Sequence, residues 1–216
     1  MRKLLITAIA KINEEKTLYL VRQALEKGIE PFTILEDVRR GLEIVVEMYN
    51  QGKYFLADLV MAAEIYKEAQ QIVLGPPQEG DSEGSFQIVF GTVKKDIHDI
   101  GKNITIVTMR QYGLRVLDLG VDVSPQMFIN ALGETGASIL CMSCLISEAY
   151  DSIKETIKLV KKEFAHNRPT TIIGGRVNET ICNYTGADYW VKSCIDGTFL
   201  CRKILAEHCS SSTLNQ

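Results

Sequence analysis

This chain lacks any strong imbalance of charge: 27 acidic residues stand against 24 basic ones over 216 positions, a net −3. That excludes the basic footprint of a nucleic-acid binder and the polybasic patch of a membrane-surface protein. Long apolar runs are missing too. None approaches the roughly 18–20 residues that a bilayer-crossing helix needs. The first ten residues, Met1 to Ala10, imitate a secretion signal, with two bases ahead of a short apolar stretch. Lys11-Ile12-Asn13-Glu14-Glu15-Lys16 follows at once, so the segment reads as a short amphipathic helix of a cytoplasmic protein. Cysteine is thin at six, which excludes a disulfide scaffold, and histidine is scarcer still at three. What is present is ordinary globular composition, 46% hydrophobic and 24% charged, which excludes a disordered chain.

Glycine and proline are spread unevenly. Before residue 74 the chain holds only Gly28, Gly41, Gly52 and Pro31; from Gly75 onward it holds thirteen glycines and four prolines. The glycine-poor part is helical by period. Ile34, Val38, Leu42, Val45 and Tyr49 step by four, four, three and four, the spacing of one helix face. Leu56, Leu59, Val60, Ala63 and Tyr66 repeat the stripe after it. Leu18, Val21, Ala24 and Leu25 do so before it, ending at Gly28, and Pro31 opens the next helix. With residues 2–10 this predicts an N-terminal four-helix bundle, 1–73.

Residues 74–86 are rich in Gly, Pro and Ser and read as a linker. Short apolar runs then follow at 87–93, 114–119, 138–143, 170–173 and 189–191, with helical stretches between them. Strands alternating with helices predict, over 87–216, an α/β domain with a doubly wound, Rossmann-like five-stranded parallel sheet of the flavodoxin-like kind. Ligands bind such sheets beyond the carboxyl ends of the strands, so chemistry belongs in the loops after them.

Cys141 and Cys144 form a CxxC, a spacing that fits a metal or redox pair. They fall inside the expected third strand, where residues three apart face opposite ways, and so read as small buried residues. The loop after the first strand is richer: Asp96-Ile97-His98-Asp99-Ile100-Gly101. A carboxylate two residues before a histidine can accept from Nδ1 and leave Nε2 free and more basic, the arrangement of metal-ligating histidines. Spacing alone leaves open a loop histidine that merely stands near two aspartates.

Three fragments together carry a resemblance. Asp96-x-His98-x-x-Gly101 resembles the DxHxxG signature of corrinoid (vitamin B12) binding domains, Ser143-Cys144-Leu145 the family's SxL, and Gly174-Gly175 its double glycine. Asp118-Leu119-Gly120-Val121-Asp122-Val123 resembles its second strand and loop. Gly186-Ala187-Asp188-Tyr189 resembles its approach to the last helix. Tyr54-Phe55-Leu56-Ala57-Asp58-Leu59 resembles the helical cap of methionine synthase and of small methyltransferase corrinoid proteins. The likeness runs from residue 1 to about 205.

The resemblance implies cobalamin or a related corrinoid, bound with its lower base displaced and its cobalt ligated by His98, with Asp96 as that histidine's hydrogen-bonded partner. Asp96, Ile97, His98, Asp99, Ile100 and Gly101 would form the ligand loop. Ser143 and Leu145 would line the pocket for the nucleotide tail, Gly174 and Gly175 would let backbone pass close to it, Ser147 would face the corrin, and Phe55 would shield its upper face. Two positions depart from the family: Lys95 stands where relatives usually carry glycine, and Ala149 where many carry a hydroxyl, so the proton relay from His98 is expected to end at Asp96 or in water.

The implied function is a corrinoid protein that carries a methyl group on cobalt. A substrate-specific methyltransferase would load it from a methylamine, methanol, betaine or aryl ether, and a second, folate- or thiol-dependent methyltransferase would unload it. A reductive activase would be a further partner. Such a chain is a subunit of a cobalamin-dependent methyltransferase system and incomplete as an enzyme alone. The linker would be the hinge by which the cap swings aside. A B12-dependent mutase subunit would use the same loops without this cap. A B12-based sensor would add a basic DNA-binding domain, whereas residues 1–73 hold ten bases against eleven acids. A phosphorylation receiver shares the sheet but explains neither Ser143 nor Gly174-Gly175.

Overall fold

The computed structural model describes residues 1–74 and 86–213, the side chains through 207. The chain divides into two compact units, Met1–Glu79 and Gly80–Gln216. Apart from Leu74 and Phe86, the expected linker and hinge lie outside the described residues.

The first unit is four helices, α1 (Arg2–Ala10), α2 (Glu14–Glu26), α3 (Pro31–Asn50) and α4 (Leu56–Leu74). Local chemistry sets the breaks. The Asn13 side chain accepts from the Lys16 N–H as the cap of α2, Gly28 takes a positive φ behind it, and Pro31 sits in the first turn of α3. Arg2, one of the two bases of the signal-like start, pairs its Nε with Asp37 Oδ1 at 2.9 Å. Burial pushes the Asp37 carboxyl above its ordinary value, and Arg2 offsets only part of that.

The α4 stripe needs correction. Ala62, Ile65, Tyr66, Ala69 and Val73 are the buried positions, whereas Leu56 and Val60 are exposed. The helix is apolar nearly all round in its first half, so periodicity admits two faces and packing against α2 and α3 selects between them. Tyr49, at the far end of the α3 stripe, is also exposed. Phe55, Leu56, Val60 and Met61 are left as an apolar surface at the start of α4.

The second unit carries β1 (Ile88–Thr92), α5 (Ile100–Gln111), β2 (Val116–Asp118), α6 (Pro125–Thr135) and β3 (Ile139–Cys144). A 3₁₀ turn over Ser147–Ala149 leads to α7 (Tyr150–Glu163), β4 (Thr170–Gly175), α8 (Glu179–Thr185), β5 (Tyr189–Trp190) and α9 (Cys194–Thr213). All five strands are parallel, in the order β2-β1-β3-β4-β5. That is the doubly wound order whose chain direction switches between β1 and β3. Both faces are covered. Val89, Leu140, Met142 and Ile173 pack with Phe128, Ile153 and Ile157; Ile88, Phe90, Cys141 and Ile172 pack with Ile106, Met109, Cys201 and Ile204. Helices on both faces explain why these strands read as continuous apolar runs rather than alternating ones. The edge strand β5 is short, and the chain's single tryptophan, Trp190, sits half-buried on it, paired in register with Ile173.

Candidate functional site

The binding edge is built where β1, β3 and β4 end together. Thr92, Ser143 and Gly174 occupy one rung across these strands. Beyond Thr92 the chain turns sharply, with the Asp96 N–H donating to Val93 O at 3.1 Å and Lys95 at φ +75°.

The turn drops Asp96 into the interior, fully buried, beneath a half-exposed His98. His98 Nδ1 lies 2.6 Å from Asp96 Oδ1, and the His98 backbone N–H donates to the same oxygen at 3.0 Å. Oδ2 accepts the Leu145 N–H at 2.6 Å, from just past the end of β3. Burial alone would raise the Asp96 carboxyl. The two backbone N–H groups and the histidine outweigh it and hold the carboxyl below its ordinary value. An ionised carboxylate only accepts, so a neutral imidazole in this pair carries its proton on Nδ1 and leaves the lone pair on Nε2. The carboxylate's far oxygen thus meets a main-chain amide, neither bare nor on a hydroxyl, and an amide N–H cannot take a proton onward.

The remaining expected residues divide. Ser143 is 5% exposed, and its hydroxyl finds no hydrogen-bond partner among the described residues. That hydroxyl is not among the side-chain oxygens sealed from solvent without a partner, so at the end of β3 it stays open to water or to a ligand. Around a Cβ added to Gly174 the nearest atom is Val191 Cγ2 at 3.6 Å, ordinary contact, so the protein's own packing does not demand glycine there. Gly175 differs: at φ +100°, its Cβ would lie 2.4 Å from Cys144 O. Glycine at 175 is a requirement of the fold itself. A Cβ at Gly101 would meet open space. Ile97 is exposed, Ile100 half-buried, and Asp99 Oδ2 accepts from Asn103 Nδ2 at 3.3 Å. Ser147 is exposed and donates to Glu148 Oε2 at 3.0 Å. Phe55 belongs to the other unit, 75% exposed ahead of α4, where its N–H donates to Asp58 Oδ2.

Cys141 and Cys144 face opposite sides of β3. Cys141 lies against Cys201, 3.9 Å between sulfurs, and Cys144 donates to Ile146 O. Burial pushes the Cys144 thiol up to about 11. Sequence reading missed Thr92, whose buried hydroxyl donates to His98 O at 3.0 Å, and Lys102, a buried ammonium against Asp118.

No group of three or more His, Cys, Asp or Glu side chains able to hold a metal occurs among the described residues. A single imidazole offering one lone pair at an open edge suits a metal that arrives with its equatorial donors already in a macrocycle. The unpartnered Ser143 hydroxyl beside side-chain-free Gly174 suits a polar appendage entering the sheet edge. Fold and site together define a two-domain corrinoid-binding protein.

Family comparison agrees. One model described as a B12 binding domain matches residues 86–193 and a second so described matches residues 1–73, and the chain belongs to this B12-binding family. It is 31% identical, over 93% of its length and 95% of the relative's, to a corrinoid protein of Desulfitobacterium hafniense. It is 28% identical, over 92% and 93%, to a dimethylamine corrinoid protein of Methanosarcina acetivorans. In fold it is similar to the monomethylamine corrinoid protein of Methanosarcina barkeri, with a TM-score of 0.78 at 23% identity, covering 93% of this chain and 96% of that one. Among the described residues no helix is long and apolar enough to cross a membrane.

Proposed function

We propose that this chain is a methyl-carrying corrinoid protein, loaded by a substrate-specific methyltransferase and unloaded by a second methyltransferase that is folate- or thiol-dependent, with a reductive activase as a further partner. The observation that carries this reading is the Asp96–His98 pair: a buried carboxylate fixed by main-chain amides engages the half-exposed imidazole through Nδ1 and leaves Nε2 available to a metal. When bound, the corrinoid supplies a cobalt centre that takes up and gives up a methyl group.

The residues do the rest. His98 would hold the cobalt through Nε2. Asp96 keeps the imidazole in one tautomer and orientation. Ser143 donates its hydroxyl to the tail, and Gly174 leaves room for it. The apolar surface of Phe55, Leu56, Val60 and Met61 suits a cap that excludes water from a methyl group. The names of the methylamine relatives support a methylated amine as donor.

The test is the His98→Ala variant loaded with hydroxocobalamin. It is expected to fold as wild type, since a loop residue contributes little packing. In the cob(II) state it should lose the axial-nitrogen splitting of the electron paramagnetic spectrum. An unchanged spectrum removes His98 from the ligand role.

A further inference from the structure

The β2–α6 loop, Asp118 to Asp122, has no part in ligand contact in the reading above, yet both its ends are tied to the segment that carries His98. At one end stands Lys102 on α5, 3% exposed. Its Nζ donates at 2.7 Å to both oxygens of Asp118 and at 2.7 Å to Asn103 Oδ1, so every ammonium proton is used. Asp118 Oδ1 also accepts the Gly120 N–H at 2.9 Å, and Gly120 O accepts the Thr92 N–H at 2.9 Å. At the other end the Asp122 N–H donates to Asp96 O at 3.0 Å, and Asp122 Oδ1 accepts the Lys95 N–H at 2.7 Å. Lys95 and Asp122 both have positive φ, +75° and +52°, so two unfavourable conformations are held against each other.

Lys102 is buried whereas Asp118 reaches water, a poor arrangement for gaining stability, because desolvating the ammonium consumes most of the attraction and an apolar residue would serve the core as well. What such a pair fixes is geometry. Here the contacts close a ring: Lys102 to Asp118, along the loop to Asp122, across to Lys95 and Asp96, then through His98 back to α5.

We propose that Lys102 and Asp122 are positioning residues for His98, acting through the Asp118–Asp122 loop that they clamp at its two ends. The inference rests on His98 being the axial ligand.

The experiment uses the full-length chain in two states. Loaded with hydroxocobalamin and reduced to cob(II), it reports axial-nitrogen splitting; without cofactor, it reports amide hydrogen exchange at His98 and Leu145. Asp122→Gly tolerates the positive φ and keeps the N–H, so it deletes the acceptor for Lys95 and adds only the backbone freedom of a glycine. Asp122→Asn restores an acceptor, and Lys102→Met removes the other clamp while Asp118 still reaches water. Asp122→Gly and Lys102→Met are expected to show a mixed spectrum with a base-off component and amide exchange faster by about threefold to tenfold, the range of one lost hydrogen bond. Asp122→Asn is expected to match wild type in both. Should Lys102→Met not fold, Asp122→Gly decides alone. Wild-type spectra and exchange in Asp122→Gly overturn the inference while leaving His98 as ligand. Absence of the nitrogen splitting from wild type itself removes the axial reading and the inference with it.

Discussion

At the scale of single residues, Lys95 stands out because its backbone is unsuited to its side chain. A left-handed φ brings Cβ close to the following carbonyl, at about 1–2 kcal/mol for an L residue, and Lys95 has φ +75°. Its side chain is exposed, so replacing it removes little else. Lys95→Gly is expected to stabilise the protein by about 0.5–1 kcal/mol, the relief of strain less the entropy that glycine loses on folding. The reading is a higher urea midpoint at constant slope; an unchanged midpoint would show that the loop bears no strain at 95. The sequence showed that a glycine was missing at this position, but not that the backbone there turns left-handed. The Asp96–His98 pair was legible because it is local, two residues apart. The Leu145 amide that fixes Asp96 was not, because it arrives from 49 residues away. Lys102 did leave a sign: it steps by four and three to Ile106 and Met109, placing a charge where the helix period asks for an apolar residue.

At the scale of elements, the end of β4 sets two adjacent glycines to different tasks. Gly175→Ala places a methyl 2.4 Å from Cys144 O at φ +100°, and a loss of about 3 kcal/mol or more is expected, seen as a collapse of the thermal midpoint. Gly174→Ala meets only Val191 at 3.6 Å. It should leave the thermal midpoint within a few degrees and weaken cobalamin binding while sparing cobinamide, which has no nucleotide tail. Equal weakening of both ligands would take Gly174 out of the tail's path.

The neighbouring edge strand owes its place to Asp188. That carboxylate accepts from the Thr171 N–H at 2.8 Å, from the Thr171 hydroxyl at 2.7 Å and from Arg168 at 2.8 Å. Burial opposes ionisation, but Arg168 and Thr171 prevail and hold the carboxyl below its ordinary 3.8. A depressed folded-state value adds stability that is complete above the unfolded value and fades as pH falls through the folded one. Asp188→Asn should therefore cost roughly 1–2 kcal/mol at neutral pH, with the gap between the two proteins closing below about pH 4. A gap independent of pH would assign the effect to shape rather than charge. Strand positions were legible from apolar runs bounded by turns, and the α2 stripe and the α3 stripe up to Val45 from their period. The core face of α4 was not, because a helix apolar on most sides carries no preferred face until neighbours are chosen.

At the scale of the whole molecule, the change from a glycine-poor to a glycine-rich composition marked the passage from helical unit to sheet unit. Each unit has its own buried residues, and every residue assigned to the cofactor falls in the second except the apolar surface of Phe55, Leu56, Val60 and Met61. The order of the strands adds a practical consequence. Trp190 is the one indole in the chain, and its register partner Ile173 immediately precedes Gly174. Corrin rings absorb strongly where indole emits, and dipolar energy transfer falls with the sixth power of separation, so a donor at this edge acts as an optical gauge of loading. Excited at the red edge, where the eight tyrosines contribute little, the chain should lose most of its emission during titration with hydroxocobalamin and regain it on release. Undiminished emission at saturation would put the chromophore far from β4. The natural sequence thus contains its own reporter, and the filled fraction of a preparation can be read without any label.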